Sequence, residues 1–202
     1  MAVGHPPSAI SHQPPAMSHP PSATDRLPPW ARVRPARLDH IARVAALAER
    51  WARERGVSEA ESRRWQRAAW LHDALKDVGP AELARWTPQG DWPLPVWHAP
   101  AAAAAAEAHG ESDHGVLDAI RYHPIGFDGW DDAGRILFLA DYLEPGREGN
   151  RERRAEWASR VPRELDAVLR EVLAARITHL LERGTPIRRE TLDLWNQLAA
   201  RG

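Results

Sequence analysis

A chain of 202 residues with a formal net charge of −1 and no cysteine excludes disulfides, thiolate metal sites and cysteine nucleophiles together. The near-neutral balance gives no general pull toward nucleic acid or an anionic membrane, and no run of about 18 apolar residues is present to cross a bilayer. No basic region followed by an apolar core opens the chain, so no secretory signal is visible and a soluble, cytoplasmic protein is expected.

Residues 1–29 hold 8 of the 18 prolines and show no apolar periodicity. His5, His12 and His19 recur there every seven residues beside Pro-Pro pairs. Proline removes backbone donors and fixes φ, so this tail is expected to be disordered or polyproline-like, and inert. Met17 is a second candidate start. The remainder, 30–202, has the length of one well-buried domain.

From Arg37 the pattern turns helical. His40, Val44, Leu47 and Trp51 fall on one stripe of a helix running to about Glu54. Gly56 ends it, and Ser58 with Glu61 forms a capping-box pattern opening a second helix. That helix carries Ala68, Leu71, His72 and Leu75 on one face and is expected to stop near Gly79-Pro80, with His72 and Asp73 in its last turns. Adjacent helical side chains point about 100° apart, so a His-Asp pair reaches one point in space only near a helix end. A short amphipathic piece, Pro80 to Arg85, precedes a loop over Trp86 to Pro95.

Ala101 to Ala108 is a strong helix former, preceded by His98. His109 and His114 flank the turn at Gly110 and read as exposed bystanders. The next helix spans about Ser112 to Tyr122, with His123 just past its end. Asp131 or Asp132 caps a helix whose inner face is Ala133, Ile136, Leu137, Ala140 and Asp141. A carboxylate on such a face is expensive to bury unless paired or metal-bound. Two further helices, Glu164 to Arg183 and Arg189 to Ala200, complete a chain without strand alternation, so the fold class reads all-α.

The polar residues on buried faces or at helix ends are His40, His72, Asp73, His98, His123 and Asp141. Of the 27 basic residues 26 are arginine, and the one lysine, Lys76, sits beside the His-Asp pair, where a compact ammonium is wanted. The order H…HD…H…H…D, followed by Glu144-Pro145-x-Arg147, resembles the HD-domain phosphohydrolases. More narrowly it is similar to the YqeK family, the symmetrical diadenosine tetraphosphate hydrolases. The matching segments are 37–40, 71–76, 119–123 and 139–147, and the likeness extends over about 35–201. One departure is Pro124, which stands where the family usually has threonine, so a hydroxyl contact is missing beside His123.

The resemblance implies an HD-domain helical bundle in which His40, His72, Asp73 and Asp141 hold a divalent metal. His98 and His123 hold a second ion bridged through Asp73 or donate to substrate phosphate. Imidazole and carboxylate donors suit Fe, Mn or Zn, and the resemblance implies iron. With no cysteine and no serine elbow, the expected nucleophile is a metal-activated water, with Asp73 central to the chemistry. Lys76 and Arg147 would clamp the polyphosphate, Arg147 through its planar fork and Lys76 as a point charge. The plainer alternatives are a pair of Lys76 with Asp77 or Asp73, and Arg147 satisfying a helix C-terminus. The turn holding Gly184, Thr185, Pro186 and Ile187 is similar to the family segment that borders adenosine, and an ordinary helix–helix turn would look the same.

The implied reaction is symmetrical cleavage of diadenosine tetraphosphate to two ADP. Other readings keep the metal and change the substrate to a nucleoside phosphate, cyclic dinucleotide or alarmone, or make the chain a non-catalytic nucleotide-binding module. A homodimer stays open.

Overall fold

The computed structural model describes Met1 and residues 26–86 and 92–201. The proline- and histidine-rich stretch expected to be disordered lies, over 2–25, outside the described residues. Among the described residues the chain is helical, with no strand. In order these are α1 (Pro35–Arg55), α2 (Glu59–Leu71), α3 (Pro80–Leu83), α4 (His98–Ala108), α5 (His114–Tyr122), α6 (Asp132–Leu143), α7 (Arg151–Glu182) and α8 (Arg189–Ala199), with a 3₁₀ turn at Leu94–Val96 before α4. Among the described residues no helix is long and apolar enough to cross a membrane.

Helix α6 is the axle. It packs against α1, α2, α5 and α7, and Ala133, Gly134 and Ile136–Ala140 are all buried. Gly134 is required there, because a Cβ would run into the Trp130 ring. The alanine run of α4 lies against α5 and α2, where six of its alanines are at most 3% exposed. Small side chains let the backbones approach closely, which suits a helix whose task is to bring its first residue to a fixed place.

Proline 162 lies inside α7 and shapes its packing. Without an N–H it cannot bond the carbonyl of Ala158, four residues earlier. That carbonyl accepts instead from the Trp51 indole at 3.0 Å, and Trp51 is fully buried on α1. The helix resumes after a break at Glu164 (φ −131°, ψ 41°).

Three boundaries differ from the sequence expectation. Helix α2 ends at Leu71 rather than near Gly79, and residues 72–78 follow as tight turns with i to i−3 bonds. The segment before α1 competes for this stretch: Arg32 N donates to Ala74 O (2.8 Å) and Arg34 N to the Asp77 carboxylate (2.9 Å). Helix α4 starts at His98, three residues early. Helix α7 starts at Arg151, where a polar run with only Trp157, Ala158 and Val161 buried gives too thin an apolar stripe to read. Only the Ser58 half of the capping box forms, at 3.2 Å to Glu61 N. The Glu61 carboxylate turns to the Trp65 indole (2.7 Å) and to Arg64 (2.8 Å).

Arg64 joins three helices at one end of the bundle. Its guanidinium meets Asp113, the N-cap of α5, at 2.7 and 3.0 Å, and Asp131, the N-cap of α6, at 2.5 Å. Gly115 makes room, since a Cβ would strike Arg64 Nη2 and Asp131 Oδ2. The bond to Arg64 holds the Asp113 carboxyl down at about 2, below the ~3.9 of an unfolded aspartate. A depressed carboxyl stabilises the fold above its unfolded value, and that contribution fades as pH falls toward its folded value. Arg64→Ala should therefore lose about 2 kcal/mol at neutral pH. Thermal melts should show a gap from wild type at pH 7 that closes as pH drops below about 4. Gly115→Ala should be destabilised in the same assay, because the clamp must open.

Candidate metal centre

Every candidate side chain sits where an element starts or stops. His40 occupies the second turn of α1, His72 caps α2, and Asp73 follows in the first tight turn. His98 opens α4, His123 caps α5, and Asp141 lies in the last turn of α6. All four histidines and Asp73 are at most 7% exposed. The Asp141 side chain is 18% exposed.

The two Asp73 oxygens face two different histidine pairs. Oδ2 lies 3.7 Å from His40 Nε2 and 3.6 Å from His72 Nε2. Oδ1 lies 3.3 Å from His98 Nε2 and 3.6 Å from His123 Nε2. Asp141 joins the first pair, with Oδ1 at 3.0 Å from His40 Nε2 and 4.0 Å from His72 Nε2. Within each pair the Nε2 atoms stand 3.4 Å apart.

The other ring nitrogens are occupied. His72 Nδ1 is 2.7 Å from Ala69 O, His123 Nδ1 2.8 Å from Ile120 O and His98 Nδ1 3.2 Å from Pro95 O. His40 Nδ1 meets Glu144 Oε1 at 3.1 Å. A ring that donates through Nδ1–H presents Nε2 as a lone pair, so the geometry assigns four lone pairs and two carboxylates to one buried space. Arg37 and Arg147 bond the two carboxylates from outside, and a cation among the six acceptors would also meet the four nitrogen lone pairs. His40, His72 and Asp141, and likewise His72, Asp73 and His123, are spaced to hold a metal ion.

Electrostatics favour the neutral ring at His72 and His98 and the protonated ring at His40. Burial, reinforced by neighbouring histidines, pushes the His72 and His98 imidazoles down to about 4, against the pull of Asp73. Burial works against charge on His40 too, but Asp141, Glu144 and Asp73 outweigh it and raise its value. Asp73 and Asp141 stay well below the usual carboxylate range. Burial opposes this; His72, His123 and His98 overcome it for Asp73, and Arg147, His40 and His72 for Asp141.

Four cations surround this core. Lys76 Nζ lies 3.1 and 3.2 Å from the two His98 ring nitrogens, and burial lowers its value. It pairs with neither Asp77, which Arg34 takes at 2.9 Å, nor the surface. Arg147 does two things: Nε donates to the Asp141 carbonyl at 2.6 Å, closing α6, and Nη2 bonds the Asp141 carboxylate. A cavity of 390 Å³ bordered by Arg37, Glu144 and Arg147 adjoins the cluster at His40.

Three further residues had no role in the sequence reading, although Glu144 and Arg37 stand in its matching segments. Glu144, 2% exposed, accepts from His40, from Arg43 at 2.5 Å and from Gly146 N at 2.6 Å. Arg37 donates to Asp73 Oδ2 at 2.7 Å from one turn before His40. Arg176 of α7 bonds the carbonyl of Pro124 and has no carboxylate partner among the described residues. Burial lowers the Arg176 value, and Asp141 and Arg147 both act on it. So the position lacking the threonine hydroxyl is occupied by an arginine contact. Glu144 and Arg37 lie at i+3 and i−3 from Asp141 and His40, a helical spacing that could have flagged them.

Gly184, Thr185, Pro186 and Ile187 form the turn between α7 and α8. Among the described residues their hydrogen bonds are local, Gly184 N to Leu181 O (3.0 Å) and Thr185 N to Leu180 O (2.9 Å). The adjoining α8 is tied to the loop after His123 by Thr191 Oγ1, which donates to Ile125 O at 2.6 Å. His109 and His114 are exposed.

Comparison with known proteins agrees with this geometry. The symmetrical bis(5'-nucleosyl)-tetraphosphatase of Halalkalibacterium halodurans is 35% identical over 102 residues, covering 50% of this chain and 54% of that protein. The Bacillus subtilis protein of the same name is 32% identical over 44% of this chain and 52% of its own length. These two matches thus span about half of each relative. The Staphylococcus aureus protein of that name is 27% identical over 79% of this chain and 85% of its own. A crystal structure from Clostridium acetobutylicum, described as a predicted HD superfamily hydrolase involved in NAD metabolism, superposes with a TM-score of 0.72 at 22% identity. It covers 84% of this chain and 92% of that one, and shares the fold. The HD domain model matches residues 37–146, which hold all six clustered side chains, and the chain belongs to the HD-domain family.

Proposed function

We propose that the chain is a metal-dependent phosphohydrolase that cleaves diadenosine tetraphosphate symmetrically, adding one water to give two ADP. The observation that carries this reading is the division of Asp73 between two histidine pairs whose Nδ1 atoms are tied elsewhere. The names of the three relatives support the substrate.

His40, His72, Asp73 and Asp141 would hold the first ion, and His98 and His123 on the Oδ1 side a second ion or a substrate phosphate. Nitrogen and oxygen donors without sulfur suit Fe, Mn or Zn, and among these we favour iron. A divalent ion in this set supplies Lewis acidity toward phosphoryl oxygens and lowers the pKa of water toward ~7. Glu144 fixes the His40 ring, and Arg43 and Gly146 N hold Glu144 in turn. Arg147 and Arg37 border the adjoining cavity and would bind phosphate oxygens, while Lys76 brings a positive charge against His98. Exclusion of water by the buried histidines strengthens each of these interactions.

Asp73→Ala should lose metal and reduce turnover about 10³-fold or more, equivalent to ~4 kcal/mol of barrier. Unchanged turnover would dismiss the site. Glu144→Ala should weaken metal binding about 10- to 100-fold, read by calorimetric metal titration. Arg147→Ala should lower kcat/KM for diadenosine tetraphosphate about 10- to 100-fold with metal content retained. Product analysis of the metal-loaded wild type should show ADP alone; ATP with AMP would overturn symmetrical cleavage.

A further inference from the structure

A second cavity, 660 Å³, runs between α1 and α7 and shares Glu144, Arg147 and Arg154 with the cavity that adjoins the metal centre at His40. Six arginines border it: Arg43, Arg50, Arg53, Arg147, Arg151 and Arg154. Glu144 is the one acidic lining residue, and it is already bonded to His40 and Arg43. The floor is aliphatic, built from Ala46, Leu47, Leu143 and Ala158.

Not all of these arginines are free. Arg50 and Arg53 make ordinary one-turn pairs with Glu54 (3.5 Å) and Glu49 (3.1 Å). Arg151 and Arg154, however, have no carboxylate within 4.0 Å among the described residues. Arg154 uses one nitrogen on the Tyr142 carbonyl (2.9 Å), lies over the Tyr142 ring at 4.7 Å, and leaves Nε buried without a hydrogen-bond partner. The groove also meets the first turn of α7, where Asn150 supplies no side-chain cap, so the positive end of the helical stretch before the break at Glu164 adds to the arginines.

Such a groove fits a ligand with an anionic chain and a flat, weakly polar body. Guanidinium groups bind phosphate oxygens in pairs and stack on planar rings, and an aliphatic floor covers a base. Its size lies within the range of small-molecule sites. We propose that this groove seats the second nucleoside diphosphate of the substrate, the half that departs on cleavage. The inference rests on the proposed hydrolysis of a dinucleoside tetraphosphate. It explains how one chain accommodates a molecule with two nucleosides: one half lies on the histidine side and the other crosses Arg147 into the arginine groove.

The test is a calorimetric titration of the metal-loaded full chain with ADP, wild type beside an Arg50→Glu, Arg151→Glu double variant. Both residues are exposed, so the fold is retained, and circular dichroism checks this. The variant should bind one ADP fewer than the wild type, and its KM for diadenosine tetraphosphate should rise about tenfold or more at little-changed kcat. Equal ADP stoichiometry with unchanged KM overturns the groove and leaves the hydrolase reading intact. Failure of the wild type to form ADP from diadenosine tetraphosphate overturns the hydrolase reading, and the ADP count still decides the groove. Tight binding of heparin with no loss of ADP in the variant would assign the arginines to a polyanionic macromolecule and also overturn the proposal.

Discussion

Four imidazoles and two carboxylates withdrawn from water at one point form an arrangement that hydrophobic packing cannot justify. Removing an ionised carboxylate from solvent costs several kcal/mol even after relaxation. Nitrogen lone pairs 3.4 Å apart gain nothing from each other. The arrangement makes sense as a receptor for positive charge, and Asp73 is its pivot because each of its oxygens answers to a different histidine pair.

The architecture follows from holding that pivot in place. The site draws on α1, α2, α4, α5 and α6, so five helices must agree in position to within tenths of an ångström. Arg64 gathers the starts of α5 and α6 against α2, the helix that leads into the His-Asp turn. The alanines of α4 permit the close approach that delivers His98 as a first residue. Beside this core of acceptors the charge reverses: Arg37 and Arg147 bond its two carboxylates, Lys76 lies against His98, and Arg176 is held on the Pro124 carbonyl.

Much of this was legible in the sequence because histidine and aspartate stand out on apolar stripes. His40 on the Val44, Leu47, Trp51 face and Asp141 beside Ala140 were conspicuous for that reason. Lys76 was visible only through its singularity. Arg37 and Arg176 were hidden by the opposite circumstance, since in a chain with 26 arginines none of them draws the eye. The early end of α2 was not legible either. It depends on the amides of Arg32 and Arg34, some forty residues upstream, donating to the Ala74 carbonyl and the Asp77 carboxylate, and a local window cannot contain such a competition.

The proline inside α7 carries a consequence for how the chain can vary. Trp51 and Pro162 form one hydrogen-bonding unit: the ring closes a vacancy that the imino acid creates. Replacing the tryptophan alone strands a carbonyl, whereas an amide at position 162 would add a second donor to an oxygen that can accept two. The constraint therefore runs one way: the indole's hydrogen bond becomes dispensable only after the proline has gone.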